Sequence, residues 1–139
     1  MSQLNVYGDT LVECGLDPIT GYGRDGCCST DDTDGGSHLV CAVMTQQFLD
    51  FTKAQGNDLS TPVLEYRFPG LNPGDRWCLC VSRWVEALKN GVVVPVILEA
   101  THQRVLEIIS LDKLEKLNYW EMKQNEKQLQ SKRIGSKYP

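Results

Sequence analysis

A chain of 139 residues with 41% hydrophobic and 23% charged side chains fits one soluble globular domain, and a domain of that size buries well over half of its unfolded surface without disulfides or a metal. The net charge of −4 argues against a nucleic-acid binder: residues 1–117 carry 9 Lys and Arg against 16 Asp and Glu, residues 118–139 carry 5 against 2, and no basic stripe with interleaved aromatics occurs. No apolar run reaches the roughly 20 residues needed to cross a bilayer, and Met1 to Val6 lack the basic start and apolar core of a secretory signal, so a cytoplasmic protein with six reduced thiols and no membrane partner is expected.

Residues 1–37 are rich in Gly, Asp, Ser and Thr; Asp17 to Cys28 is turn-forming yet chemically dense, and Ser29 to Ser37 reads as a loop. His38 to Met44 reads as a buried strand or the start of a helix. Thr45 offers a cap for a helix over Gln46 to Gln55 that Gly56 closes, with Met44, Phe48 and Phe51 recurring at i, i+4 and i+7 beside Leu49 as a core face. Three prolines and Gly70 keep residues 57–73 extended or turning, and Asn72-Pro73-Gly74-Asp75 is a turn signal.

A strand over Arg76 to Val81 follows, then a helix over Arg83 to Asn90 capped by Ser82 and stopped by Gly91. Val92 to Leu98 is the clearest strand by β-branched content, although Pro95 confines it to an edge or to a position needing no ladder donor. Thr101 can cap a helical turn from His102, and Ser110 a helix over Leu111 to Leu117; residues 118–139 form an extension that is helical and then frayed. The fold class is α+β: a single domain over residues 1–117, with a small sheet, helices packed on it and a long irregular N-terminal segment.

Chemistry concentrates in Gly74-Asp75-Arg76-Trp77-Cys78-Leu79-Cys80, in Cys27-Cys28, in His38 with Cys41, and in Glu99 with His102. A nucleophilic cysteine needs a thiolate, which a cation or a helix N-terminus favours. Cys80 or Cys78 is therefore the expected nucleophile, His102 the general base, oriented by Glu99 or Asp75, and Arg76 an anchor for an anion. Against this stands the usual fate of cysteine as a small buried hydrophobe. For metal, Cys78 and Cys80 in a regular strand stand about 6.6 Å apart, and the chain lacks C-x-x-C pairs, so no metal ligand set is assigned, although His38 and Cys41 could share a helical face. Gly21, Gly23, Arg24 and Gly26 form a weak candidate anion loop.

Asp17-Pro18-Ile19-Thr20-Gly21, Arg24-Asp25-Gly26-Cys27-Cys28, His38 to Thr45, Gly56 to Pro62, Phe68-Pro69-Gly70-Leu71, Gly74 to Cys80 and Leu98-Glu99-Ala100-Thr101-His102 form an ordered string of motifs. That string resembles the domain of unknown function 2237 family over roughly residues 4–117. The resemblance implies a compact soluble domain and brings no activity with it. It places Arg24, Asp25, Cys27, Cys28, His38, Cys41, Asp75, Arg76, Cys78, Cys80 and His102 among the defining positions. The expectation is that these groups, with Glu99, converge on one pocket for a small polar or anionic molecule, which is either a thiol-dependent catalytic site or a binding site. A Cys/His metal-binding or sensing module and an interaction domain with packed cysteines are the alternatives, and cofactor and oligomeric state stay unassigned.

Overall fold

The computed structural model describes residues 3–30 and 37–136, with side chains to residue 127; the loop expected at Ser29 to Ser37 therefore lies mostly outside the described residues. The centre is a two-stranded antiparallel ribbon, β1 (Val40–Val43) against β2 (Arg76–Leu79), in register Val40↔Leu79, Cys41↔Cys78, Ala42↔Trp77 and Val43↔Arg76. Because side chains alternate along a strand, the ribbon has two unlike faces. Val40, Ala42 and Leu79, with Trp77 packed beside them, join the main core, whereas Cys41, Val43 and Cys78 join a second, smaller core with Cys14, Cys28, Ile97 and Ala100.

Helices α1 (Gln46–Ala54) and α2 (Val81–Lys89) supply Phe48, Leu49, Val81, Trp84 and Ala87 to the main core. As expected, the Thr45 side chain accepts from the Phe48 amide at the start of α1, and Gly56 follows it with φ +91°. β2 stops two residues earlier than expected and α2 starts two earlier, so Cys80, not Ser82, occupies the cap position, with its carbonyl accepting from the amides of Arg83 and Trp84. Helix α3 (Leu111–Glu115) is capped by Ser110 as expected, and α4 (Tyr119–Ser136) begins anew after Asn118, whose Oδ1 accepts from the Trp120 amide.

The expected strand at Val92 to Leu98 is a correction. The segment runs beside β1, with the Val43 amide donating to Pro95 O and the Ile97 amide to Cys41 O, but only Ala42↔Val96 forms a bridge with that strand. Pro95 has no N–H to give, and the chain enters a 3-10 turn at Leu98–Ala100, so no ladder propagates. Thr101 does not cap the next turn either: its hydroxyl donates to Ile97 O and its oxygen accepts from the Cys41 amide, and His102 caps Gln103–Glu107 instead.

The N-terminal segment covers the sulfur-bearing face of the ribbon. Its backbone pairs with residues 99–103 through Val6 N to Thr101 O, Val12 N to Glu99 O and Gln103 N to Leu4 O. Within residues 3–30 the only buried side chains apart from Gly26 are Asn5, Val6, Cys14, Thr20 and Cys28. So little apolar area cannot hold some thirty residues in place by burial alone. The segment is fastened instead by cross-links and buried hydrogen bonds. At Gly21, φ is +102° and an added Cβ would lie 2.3 Å from Cys27 O, so the turn closes only around a glycine.

Candidate functional site

Four of the six cysteines are paired, Cys14 with Cys41 and Cys28 with Cys78, which corrects the expectation of six reduced thiols. Each bridge ties the covering segment to one strand of the ribbon. All four residues are at most 1% exposed, and the sulfurs of Cys14, Cys28 and Cys78 lie within 4.8 Å of one another. In this state Cys78 has no thiolate to offer, and its nucleophilic role falls away; Cys28 and Cys41 likewise line no open site. The Cys78 amide donates to Thr20 Oγ1 at 2.7 Å and the Cys41 amide to Thr101 Oγ1 at 3.2 Å, both pointing out of the ribbon.

His102 is also spent. Gln3 Oε1 already accepts from the Thr30 amide, and as a carbonyl oxygen it can only accept again, so the 2.7 Å contact to His102 Nε2 fixes that nitrogen as a donor. Nδ1 accepts from the Arg104 amide at 3.0 Å. Burial, and then the Arg104 guanidinium, lower the His102 pKa and keep the imidazole neutral. With its only lone pair committed to a helical cap, the ring is a structural pin and not the expected base. The ring nitrogens meet Gln3 and the Arg104 amide, and the expected orienting acids are engaged elsewhere: Glu99 lends its carbonyl to Asn5 and Val12, and Asp75 Oδ2 accepts from the Asn72 amide within the turn.

Arg76 stands exposed at the start of β2 with its guanidinium 5.6 Å from the Trp120 ring centroid on α4. Two of the four amides of the expected anion loop, those of Arg24 and Gly26, are satisfied by neighbouring carbonyls. The amides of Arg24, Gly26 and Cys27 donate to Gly21 O, Thr20 O and Asp25 Oδ1, and Asp25 Oδ2 takes the Ser29 hydroxyl. Cys27 remains a thiol, but partial burial and the carboxylates of Asp25 and Glu13 push its pKa up, which makes it a poor nucleophile.

The chemistry that stays open lies where β2 hands over to α2. A cavity of about 220 Å³ is lined by His38, Asn57, Leu59, Trp77, Leu79, Cys80 and Arg83. By strand alternation alone Cys80 would share the face of Cys78; the turn into α2 at Cys80 carries its side chain to the cavity beside Trp77 and Leu79 instead. Cys80 Sγ lies 3.1 Å from Ser82 Oγ. Arg83 reaches Gln55 O at 3.2 Å and Glu86 Oε1 at 3.3 Å. Arg24 lies 5.6 Å over the Trp77 ring with a hydrogen bond to Tyr66 O, and Tyr22 stacks on His38 with centroids 6.2 Å apart.

One guanidinium, an imidazole, an indole and a thiol thus line one small recess, and a second guanidinium, that of Arg24, lies over the indole. A larger groove of about 460 Å³ runs along α2 between Val81, Val85 and Ile108, but it carries no cysteine or histidine. Of the expected site residues, the structure brings His38 and Cys80 to the cavity and Arg24 to its Trp77 wall. Arg83 lines the cavity as well; three residues after Cys80 at the start of a helix, it falls on the same side as that thiol and supplies the cation expected in that segment.

Among the described residues no helix is long and apolar enough to cross a membrane. No curated protein matches the chain. Residues 4–118 match the family described as uncharacterized protein conserved in bacteria (DUF2237), and the chain belongs to that family.

Proposed function

We propose that the protein binds a small anionic or polar molecule in the cavity between the end of β2 and the start of α2. The observation that carries this reading is the convergence of His38, Cys80 and Arg83 on one recess walled by Trp77, itself covered by Arg24. The recess suits a ligand of a few heavy atoms, with the indole as an apolar wall and the Arg83 guanidinium as partner for a carboxylate or phosphate. Cys80 and Arg83 stand at the N-terminal end of α2, where the helix dipole favours negative charge. If chemistry follows binding, Cys80 is the group in position to perform it, with His38 as its proton partner.

Thermal unfolding in the presence of a panel of small carboxylates, phosphate and phosphate monoesters tests this. Saturable stabilisation of the wild type by at least one of these, lost in Arg83→Gln and kept in Arg104→Gln, is the expected outcome, since only a ligand bound to the folded state raises its stability. The same ligand should slow alkylation of Cys80 and leave Cys27 unchanged. Equal shifts in all three proteins, or none with any member of the panel, would refute the reading.

A further inference from the structure

The four buried cysteines form a second centre, apart from the cavity at Cys80. Cys41 and Cys78 stand directly opposite each other on the ribbon, and both of their amides point outward. They are therefore a non-hydrogen-bonded pair, the kind in which facing side chains come closest. Cys14 and Cys28 approach the same face from the covering segment, their Cα atoms 5.7 Å from Cys41 and 5.2 Å from Cys78. We infer that, once its two bridges are reduced, this nest of Cys14, Cys28, Cys41 and Cys78 holds one zinc ion as a tetrathiolate.

The geometry is close to what the ion requires. Zinc–sulfur bonds of about 2.3 Å set the edge of a tetrahedral site at about 3.8 Å. Three sulfurs drawn from both bridges already lie within 4.8 Å of one another, and a bonded pair whose bond is broken must move apart to about that edge. The donor set is all sulfur, which selects a soft or borderline ion over magnesium or calcium. Cys27 stands outside the buried group of sulfurs, and the two imidazoles lie elsewhere, His102 in its cap and His38 at the cavity beside Cys80.

The chemistry balances with a dithiol as reductant. Each bridge takes two electrons and two protons from one dithiol, which leaves as its own disulfide; Zn²⁺ then displaces four thiol protons and forms four Zn–S bonds. A metal would tie the covering segment to both strands as the two bridges do. Disulfides persist in oxidising surroundings and thiols in the reducing surroundings expected of a cytoplasm, so the same four side chains would fasten the fold in either.

The test uses the full chain, reduced with a dithiol under anaerobic conditions, freed of reductant and titrated with Co²⁺ and then Zn²⁺. One ion per chain is expected, with the sulfur-to-cobalt charge-transfer and tetrahedral d–d absorption of a four-thiolate site, and with a native near-UV circular dichroism spectrum in the metal-bound form. The Cys27→Ser/Cys80→Ser variant should bind with unchanged stoichiometry and spectrum, and Cys14→Ser should lose both. Absence of stoichiometric uptake, uptake abolished by Cys27→Ser/Cys80→Ser, uptake indifferent to Cys14→Ser, or binding without the folded near-UV signal would each overturn the assignment. Because Cys80 lies outside this site, failure here leaves the ligand cavity untouched, and the reverse holds.

Discussion

Replacing the Cys28–Cys78 bridge by alanines tests the claim that cross-links, not apolar burial, hold the covering segment. The bridge spans a sequence separation of 50, and the interlaced Cys14–Cys41 bridge offers no shorter route between its ends, so the whole loop is freed when it is removed. Chain-entropy arithmetic for a loop of that length gives about 4 kcal/mol at 25 °C, within the usual range of about 2–5 kcal/mol for a native bridge. Alanine at both positions avoids leaving one buried thiol to reshuffle and keeps the site apolar. With a urea m-value of about 1.5 kcal/mol/M, the midpoint should fall by about 2–3 M. Urea unfolding followed by tryptophan fluorescence reads this, and a dithiol supplies the second arm: it should destabilise the wild type by both bridges but the variant only by the Cys14–Cys41 share, about 3.5 kcal/mol for a separation of 27. A loss below about 1 kcal/mol in Cys28→Ala/Cys78→Ala, or a dithiol effect of the same size in both proteins, would refute the reasoning.

Thr20 is fully buried, and its hydroxyl oxygen takes the Cys78 amide, so Thr20→Val keeps the shape and orphans a buried N–H; a loss of about 1–3 kcal/mol in urea unfolding is expected, with Thr20→Ser retaining most of it, and equal losses in the two variants would count against the bond. His102 has its pKa lowered from the ordinary 6.5 by burial and Arg104, so the unfolded chain takes up the proton first: the contribution is intact above 6.5 and is lost as pH falls toward the depressed folded value. His102→Asn keeps a capping oxygen and removes the titration, so stability measured from pH 7.5 to 5 should fall less steeply than in the wild type; parallel profiles would show that the imidazole is not held neutral. Cys80 should react with iodoacetamide faster than Cys27, read by peptide mapping, because burial and then the carboxylates of Asp25 and Glu13 raise the Cys27 pKa; faster labelling of Cys27 would contradict that local environment.

Elements governed by near neighbours were legible from the residues alone. Thr45 and Ser110 cap the helices expected of them, Gly56 follows α1, and Arg76 to Leu79 alternates into a strand, since each depends on contacts within about four residues. Val92 to Leu98 misled because β-branched content reports a taste for extended backbone, whereas a strand also needs donors that Pro95 lacks. The sequence by itself also showed where the thiols, imidazoles and guanidiniums stand along the chain. Only the tertiary structure decided how they divide. A two-residue alternation sends Cys78 into the sulfur nest, and the turn at Cys80 sends the next thiol to an open cavity. Pairing across sequence separations of 27 and 50 depends on how the covering segment lies on the ribbon, and no local pattern encodes that distance.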